Sequence, residues 1–291
     1  MAMPEGIGAV DLMIGFPSAD ARSHYDNLRA MTKDAASAKM EFPVEYIFKQ
    51  VPNYLPEGAD PVEVTLGEMD RCGVAIGLVG SPYGGIAARA LREHPDRFVA
   101  GLDIDPNDIS GAVRAIRKAH GECGIKAVTS FPAGCNPQVP VSDRRYYPVY
   151  QTCIDLDIPI IVNAGIPGPR LPAACQDVMH FDQVCFDFPE LTIVMRHGAE
   201  PWEELAVKLM LKWPGLYYMP SAFAPKHYPK AIISYANTRG SDKIMYAGYY
   251  PMGLSLRRIF EEMPRVPLRD EVWPKFLREN ALRVFKLAPR S

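Results

Sequence analysis

Apolar positions along the chain fall into two alternating patterns. Short apolar runs rich in β-branched residues occur at 7–11, 74–79, 98–104, 125–131, 159–163, 191–197, 216–219 and 243–247. Between them, at 62–72, 108–120, 143–155, 202–212 and 229–238, apolar residues recur at helical spacing. A parallel strand covered on both faces reads as a continuous apolar run, whereas a helix shows one apolar stripe. The stretch 62–72 stops at Gly73, a residue that ends helices by taking left-handed backbone. The tail at 270–287 reads as a last amphipathic helix, with Val272, Phe276, Leu277, Leu282 and Phe285 as its stripe.

Eight runs joined by crossover helices predict an α/β chain, one domain over 1–291, folded as a (β/α)8 TIM barrel. The alternative, an open doubly wound sheet, often begins with a glycine-rich phosphate loop, and none follows the first run here. Such a barrel typically needs ~250 residues, so 291 residues leave room for one insertion. It follows the first strand, at 12–61, and is punctuated by prolines. On a barrel this segment emerges at the C-terminal face, where it can cover a site or meet a second copy in a homodimer.

Composition narrows the class of function. With 48% hydrophobic and 23% charged residues and a net charge of −2, no basic excess points to nucleic acid. No run approaches the ~18 apolar residues of a membrane span, and the N-terminus lacks the charged-then-apolar pattern of a signal peptide. A cytoplasmic protein acting on a small molecule is expected. Cys72, Cys123, Cys135, Cys153, Cys175 and Cys185 are scattered without a C-x-x-C pair, so free structural thiols are expected.

Barrel chemistry gathers at the C-terminal ends of strands. There the chain offers Asp11, Asn163, His197 and Tyr249, with Arg170 and Glu200 in the following loops. His197 can act as general acid or base. Asp11 can orient it or take a proton, and Asn163 can donate to a developing oxyanion. Arg170, in a glycine- and proline-rich loop, suits a substrate carboxylate, which a guanidinium grips with two parallel hydrogen bonds. Glu200 and Tyr249 complete the substrate-binding candidates. Strand alternation with His197 facing inward sends Ile193 and Met195 inward and Arg196 toward the helices. His24, His94, His120, His180 and His227 lack paired spacing and read as surface or helix histidines.

Three stretches carry a resemblance. They are Pro159-Ile160-Ile161-Val162-Asn163-Ala164-Gly165, Leu191-Thr192-Ile193-Val194-Met195-Arg196-His197-Gly198, and Tyr250-Pro251 with the later Glu279-Asn280-Ala281-Leu282-Arg283. In this order and spacing the chain resembles the amidohydrolase-related family, in the branch of the aminocarboxymuconate semialdehyde and hydroxybenzoate decarboxylases. The resemblance implies a barrel with metal ligands from an H-x-H on the first strand, a His on the fifth, a His on the sixth and an Asp on the eighth. At the matching positions stand Met13, Gly15, Asn163, His197 and Tyr249, so only His197 keeps a ligand. A catalytic metal needs about three protein ligands, and neither metal nor other cofactor is expected. Asp11, His197 and Glu200 form the alternative, rearranged ligand set.

These residues point to a metal-independent hydrolase of a lactone-like or amide-like C–O or C–N bond in a small carboxylated or aromatic substrate. Two alternatives stay open. One is non-oxidative decarboxylation of an aromatic acid; the other is a non-catalytic barrel that binds a ligand or partner.

Overall fold

The computed structural model describes residues 3–4, 6–20, 22–48 and 55–288; residues 21 and 49–54 of the insertion lie outside them. Seven parallel strands pair in chain order: β1 (Ala9–Asp11), β2 (Val74–Val79), β3 (Phe98–Asp103), β4 (Ala127–Ser130), β5 (Ile160–Asn163), β6 (Ile193–Arg196) and β7 (Leu216–Met219). The eighth run forms no regular strand and makes only isolated bridges, Tyr218 with Ile244 and Ile14 with Tyr250. Gly248, a positive φ at Tyr249 and Pro251 interrupt its ladder. Its backbone still closes the ring. Met245 N donates to Tyr218 O at 3.0 Å on one side, and Tyr249 N donates to Met13 O at 2.8 Å on the other. The architecture is the (β/α)8 barrel that the apolar runs predict.

Helices between the strands form where the helical periodicity lies. Pro61–Cys72 starts on Asp60, whose carboxylate accepts from Val62 N, and stops at Gly73 with φ 67°. Gly85–Glu93 and Met179–Asp187 are further crossover helices, too short for their periodicity to stand out in the sequence. The tail is helical without a break from Asp270 to Val284, opening as a 3-10 turn at Asp270–Val272 and widening to a π turn at Lys275–Glu279 before Asn280–Val284. Phe276, Leu277 and Phe285 are buried as the stripe requires.

The core has two layers. Val10, Leu12, Ile76, Ile161, Val194 and Met219 fill the barrel, while Ile160, Val162, Ile193 and Met195 pack outward against the helices. On β6 this reverses the expected alternation. Parallel partners share a face, and the register pairs Ile161 with Val194 and Asn163 with Arg196, so Arg196 points into the barrel with Asn163. All six cysteines are unpaired. Among the described residues no helix is long and apolar enough to cross a membrane.

Candidate active site

A cavity of about 1520 Å³ opens at the C-terminal ends of the strands. Asp103 of β3, Asn163 of β5, Arg196 and His197 at the end of β6, and Tyr249 of the eighth segment line its floor. The insertion supplies an apolar wall, including Tyr25, Phe42, Val44 and Tyr46. Two contacts fasten it to the loop after β5. The Tyr46 hydroxyl donates to Gly168 O, and the Arg170 guanidinium pairs with Asp34 at 2.6 Å while lying 4.9 Å from the Tyr46 ring centre. Hydrogen bonds from Ser37, then Arg170, hold the Asp34 carboxyl down to about pKa 2. Arg170 is therefore not among the residues lining the cavity, because its charge is spent on the insertion.

Three cations line the cavity, the exposed Lys226 and Arg258 and the half-buried Arg196; Arg196 is the one that sits at a strand end. Its Nε donates to Asn163 Oδ1 at 2.6 Å, which fixes the plane of the guanidinium and uses the Asn163 carbonyl. Neither Nη group bonds to any described residue, and no carboxylate there forms an ion pair with it. Burial pulls its pKa down while Asp103 and Tyr249 pull it up; an arginine stays charged under such opposing pulls. Asp103 is exposed and accepts from the Thr129 hydroxyl.

His197 sits where the chain leaves its alternation. With φ at 77°, it turns into the same cavity as its neighbour Arg196. Its Nδ1 faces Ser221 O at 3.3 Å and Ser221 Oγ at 3.0 Å. A carbonyl can only accept, so Nδ1 carries the proton and Nε2 is the free acceptor. Burial, then the Arg196 charge, push the imidazole pKa down to about 3. At neutral pH His197 is thus an uncharged hydrogen-bonding group, not the acid that an unperturbed histidine could be. Ala199, Ala222 and Tyr249 also have positive φ, at 59°, 67° and 99°. Such backbone costs about 1–3 kcal/mol per residue and collects at functional sites.

Tyr249 packs its ring edge-on to His197 at 6.0 Å between centres and faces the Tyr25 phenol of the insertion. Burial raises the Tyr249 pKa, so it remains a neutral hydroxyl. Glu200 lines the cavity, its pKa raised by burial and by Glu203, with His227 opposing. His227, read from the sequence as an ordinary surface histidine, also lines the cavity.

Asp11 does not line it. Val10 and Leu12 take the inward face of β1, which turns Asp11 into the layer behind the barrel. There Oδ1 accepts from Met13 N at 2.9 Å and Gly248 N at 2.8 Å, tying β1 to the eighth segment. Its Oδ2 and the Tyr246 hydroxyl are buried without a partner. Burial outweighs the bonds from Gly248 and Met13 and lifts the pKa from 3.8 to about 6. A folded-state value above the unfolded one means stability that is full below about pH 4 and declines as pH rises through about 6. The displacement corresponds to roughly 3 kcal/mol. Asp11→Asn keeps the acceptor for both N–H groups. It should match the native chain near pH 4 and exceed it above pH 6 by up to roughly 3 kcal/mol. Urea unfolding of both proteins at the two pH values checks this; a stability difference that does not change with pH contradicts it.

The family model described as Amidohydrolase matches residues 86–287. The chain belongs to the amidohydrolase family. A 2-keto-4-carboxy-3-hexenedioate hydratase from Sphingobium sp. is 24% identical over 132 residues, 39% of this chain. The match spans 38% of that relative's length. An uncharacterised TIM-barrel protein from Bordetella bronchiseptica superposes with a TM-score of 0.74 at 23% identity, covering 96% of this chain and 98% of that one. A 5-carboxyvanillate decarboxylase from Novosphingobium aromaticivorans, solved with manganese and 3-methoxy-4-hydroxy-5-nitrobenzoic acid, superposes at 0.67 and 16% identity over 99% and 100%. These likenesses are of fold.

The site of this amidohydrolase-family chain does not suit the metal that such a barrel can hold. Among the described residues no three His, Cys, Asp or Glu side chains gather as ligands. The rearranged set of Asp11, His197 and Glu200 is not assembled, because Asp11 points out of the barrel. Met13, Asn163 and Tyr249 line the cavity as a thioether, an amide and a neutral phenol, and a guanidinium stands among them. Such donors bring no negative charge to a divalent cation.

Proposed function

We propose that this amidohydrolase-family enzyme binds a small carboxylated substrate through Arg196 and hydrolyses a lactone-like or amide-like bond in it. One observation carries the reading: a guanidinium lines the cavity with both Nη groups unbonded to described residues. A carboxylate fits those two groups with parallel hydrogen bonds. Asp103 takes the proton of a water as its oxygen attacks the carbonyl carbon. The Tyr249 hydroxyl donates to the developing oxyanion, and Asp103 returns the proton to the leaving oxygen or nitrogen. His197 Nε2 accepts a hydrogen bond and positions the water or a substrate hydroxyl. The apolar wall of the insertion covers the rest of the substrate.

Decarboxylation of the Arg196-bound carboxylate is disfavoured on the same geometry. A guanidinium stabilises the anion more than departing carbon dioxide, which deepens the ground state. The test is turnover of carboxylated lactones by chelator-treated protein. Asp103→Asn should lower kcat by at least ~100-fold while leaving carboxylate affinity intact. Tight binding without conversion would instead make the barrel a binding protein, and carbon dioxide released from aromatic acids would make it a decarboxylase.

A further inference from the structure

Asn163, His197 and Tyr249 stand where the family resemblance places ligands of the fifth, sixth and eighth strands, and all three surround one cation. Arg196 donates to Asn163 at 2.6 Å, precedes His197 in the chain, and is electrostatically coupled to Tyr249. Each of the three is neutral: an amide, an imidazole kept unprotonated, and a phenol. We propose that the Arg196 guanidinium occupies the place of the divalent metal of metal-bearing family members and supplies its positive charge.

The physics of the pocket favours this exchange. Like charges a few ångströms apart repel strongly where water is excluded, so a fixed guanidinium and a metal ion do not share the site. A divalent ion is held by about three imidazole, thiolate or carboxylate donors, and although Asp103, Asp105, Glu200, His197 and His227 line the cavity, no three such groups gather among the described residues. Asn163, in turn, suits the guanidinium. Its carbonyl accepts from Nε, whereas a neutral histidine in that place would have to turn its lone pair from the metal to the arginine. The inference goes beyond the functional reading, since it concerns what holds the charge in this barrel and not what the barrel converts.

Electron paramagnetic resonance of free Mn²⁺ tests it. The native chain should leave the free-ion signal undiminished. Two variants restore ligands beside His197: Asn163→His/Tyr249→Asp, which keeps Arg196, and the same pair with Arg196→Gly. The triple variant should bind Mn²⁺ at least ~10-fold more tightly than the double, because the repelling charge is gone. Equal uptake by folded double and triple variants, whether strong or nil, overturns the proposal. Should the triple variant fail to fold, the native chain decides: uptake of one equivalent of Mn²⁺ that His197→Asn abolishes overturns it, and no uptake supports it. A native chain that binds no benzoate, alongside the Arg196-dependent step in Mn²⁺ binding, would sink the functional reading and leave this one standing.

Discussion

Arg196→Met is expected to weaken binding of a small carboxylate such as benzoate by between about 30-fold and several thousand-fold, the range for removing one partner of a buried charge pair at ~2–5 kcal/mol. Methionine approximates the length of the side chain without its fork, so the cavity keeps its shape. Folding stability should hold or rise. The native guanidinium has no ion-pair partner among the described residues, and removing an unpaired charge from a partly desolvated place relieves a penalty. Against this stands the loss of one hydrogen bond to Asn163, about 1 kcal/mol. Arg196→Lys should fall between, since it keeps the charge and loses the two parallel donors. Calorimetric titration and thermal unfolding read both effects. Unchanged benzoate affinity in Arg196→Met would contradict the assigned role.

Gly165→Ala should destabilise the chain by about 3 kcal/mol or more, as overpacking against backbone does. Gly165 has φ 90°, and a Cβ there would stand 2.6 Å from Glu200 N and 2.8 Å from Ala199 Cα. Those neighbours cannot swing aside as a flexible side chain would. Gly165 N donates to Gln176 O at 3.0 Å, Gln176 Nε2 donates back to Gly165 O at 2.8 Å, and Ile166 N donates to Glu200 O at 2.8 Å. The loop after β5 is thereby seated on the loop that carries His197 and Glu200. The substitution should thus lower ligand affinity along with stability. Urea unfolding measures the first effect; a change within ~0.5 kcal/mol, ordinary for surface sites, would mean that the two loops do not press together as described.

The barrel was legible because apolar runs and helical stretches alternate along the whole chain, and each run is buried on both faces. The eighth strand was only half legible. Its apolar run is present, but Gly248, Tyr249 and Pro251 leave it as an extended segment held by a few backbone bonds. At the site, Asn163, His197, Tyr249 and Glu200 do line the cavity. Asp11 and Arg170 do not, each for a local reason: strand alternation turns Asp11 outward, and Asp34, distant in sequence, claims Arg170. Arg196 was missed because alternation was counted from His197, whose positive φ breaks it. Counting instead from Asn163 across the β5–β6 register places Arg196 inside, so the signal was present but needed the pairing. Asp103 stands at the end of the apolar run 98–104, where the strand-end rule reaches it, but Tyr25 left no such trace, since an insertion wall declares itself only in three dimensions.

The most direct measurement is a crystal structure of the native chain with benzoate, grown in the presence of a chelator. The account predicts the carboxylate on the two Nη groups of Arg196, with the ring against the apolar wall that includes Tyr25 and Phe42. A carboxylate bound elsewhere in the cavity, at Lys226 or Arg258, with the Arg196 Nη groups left to water, would contradict it.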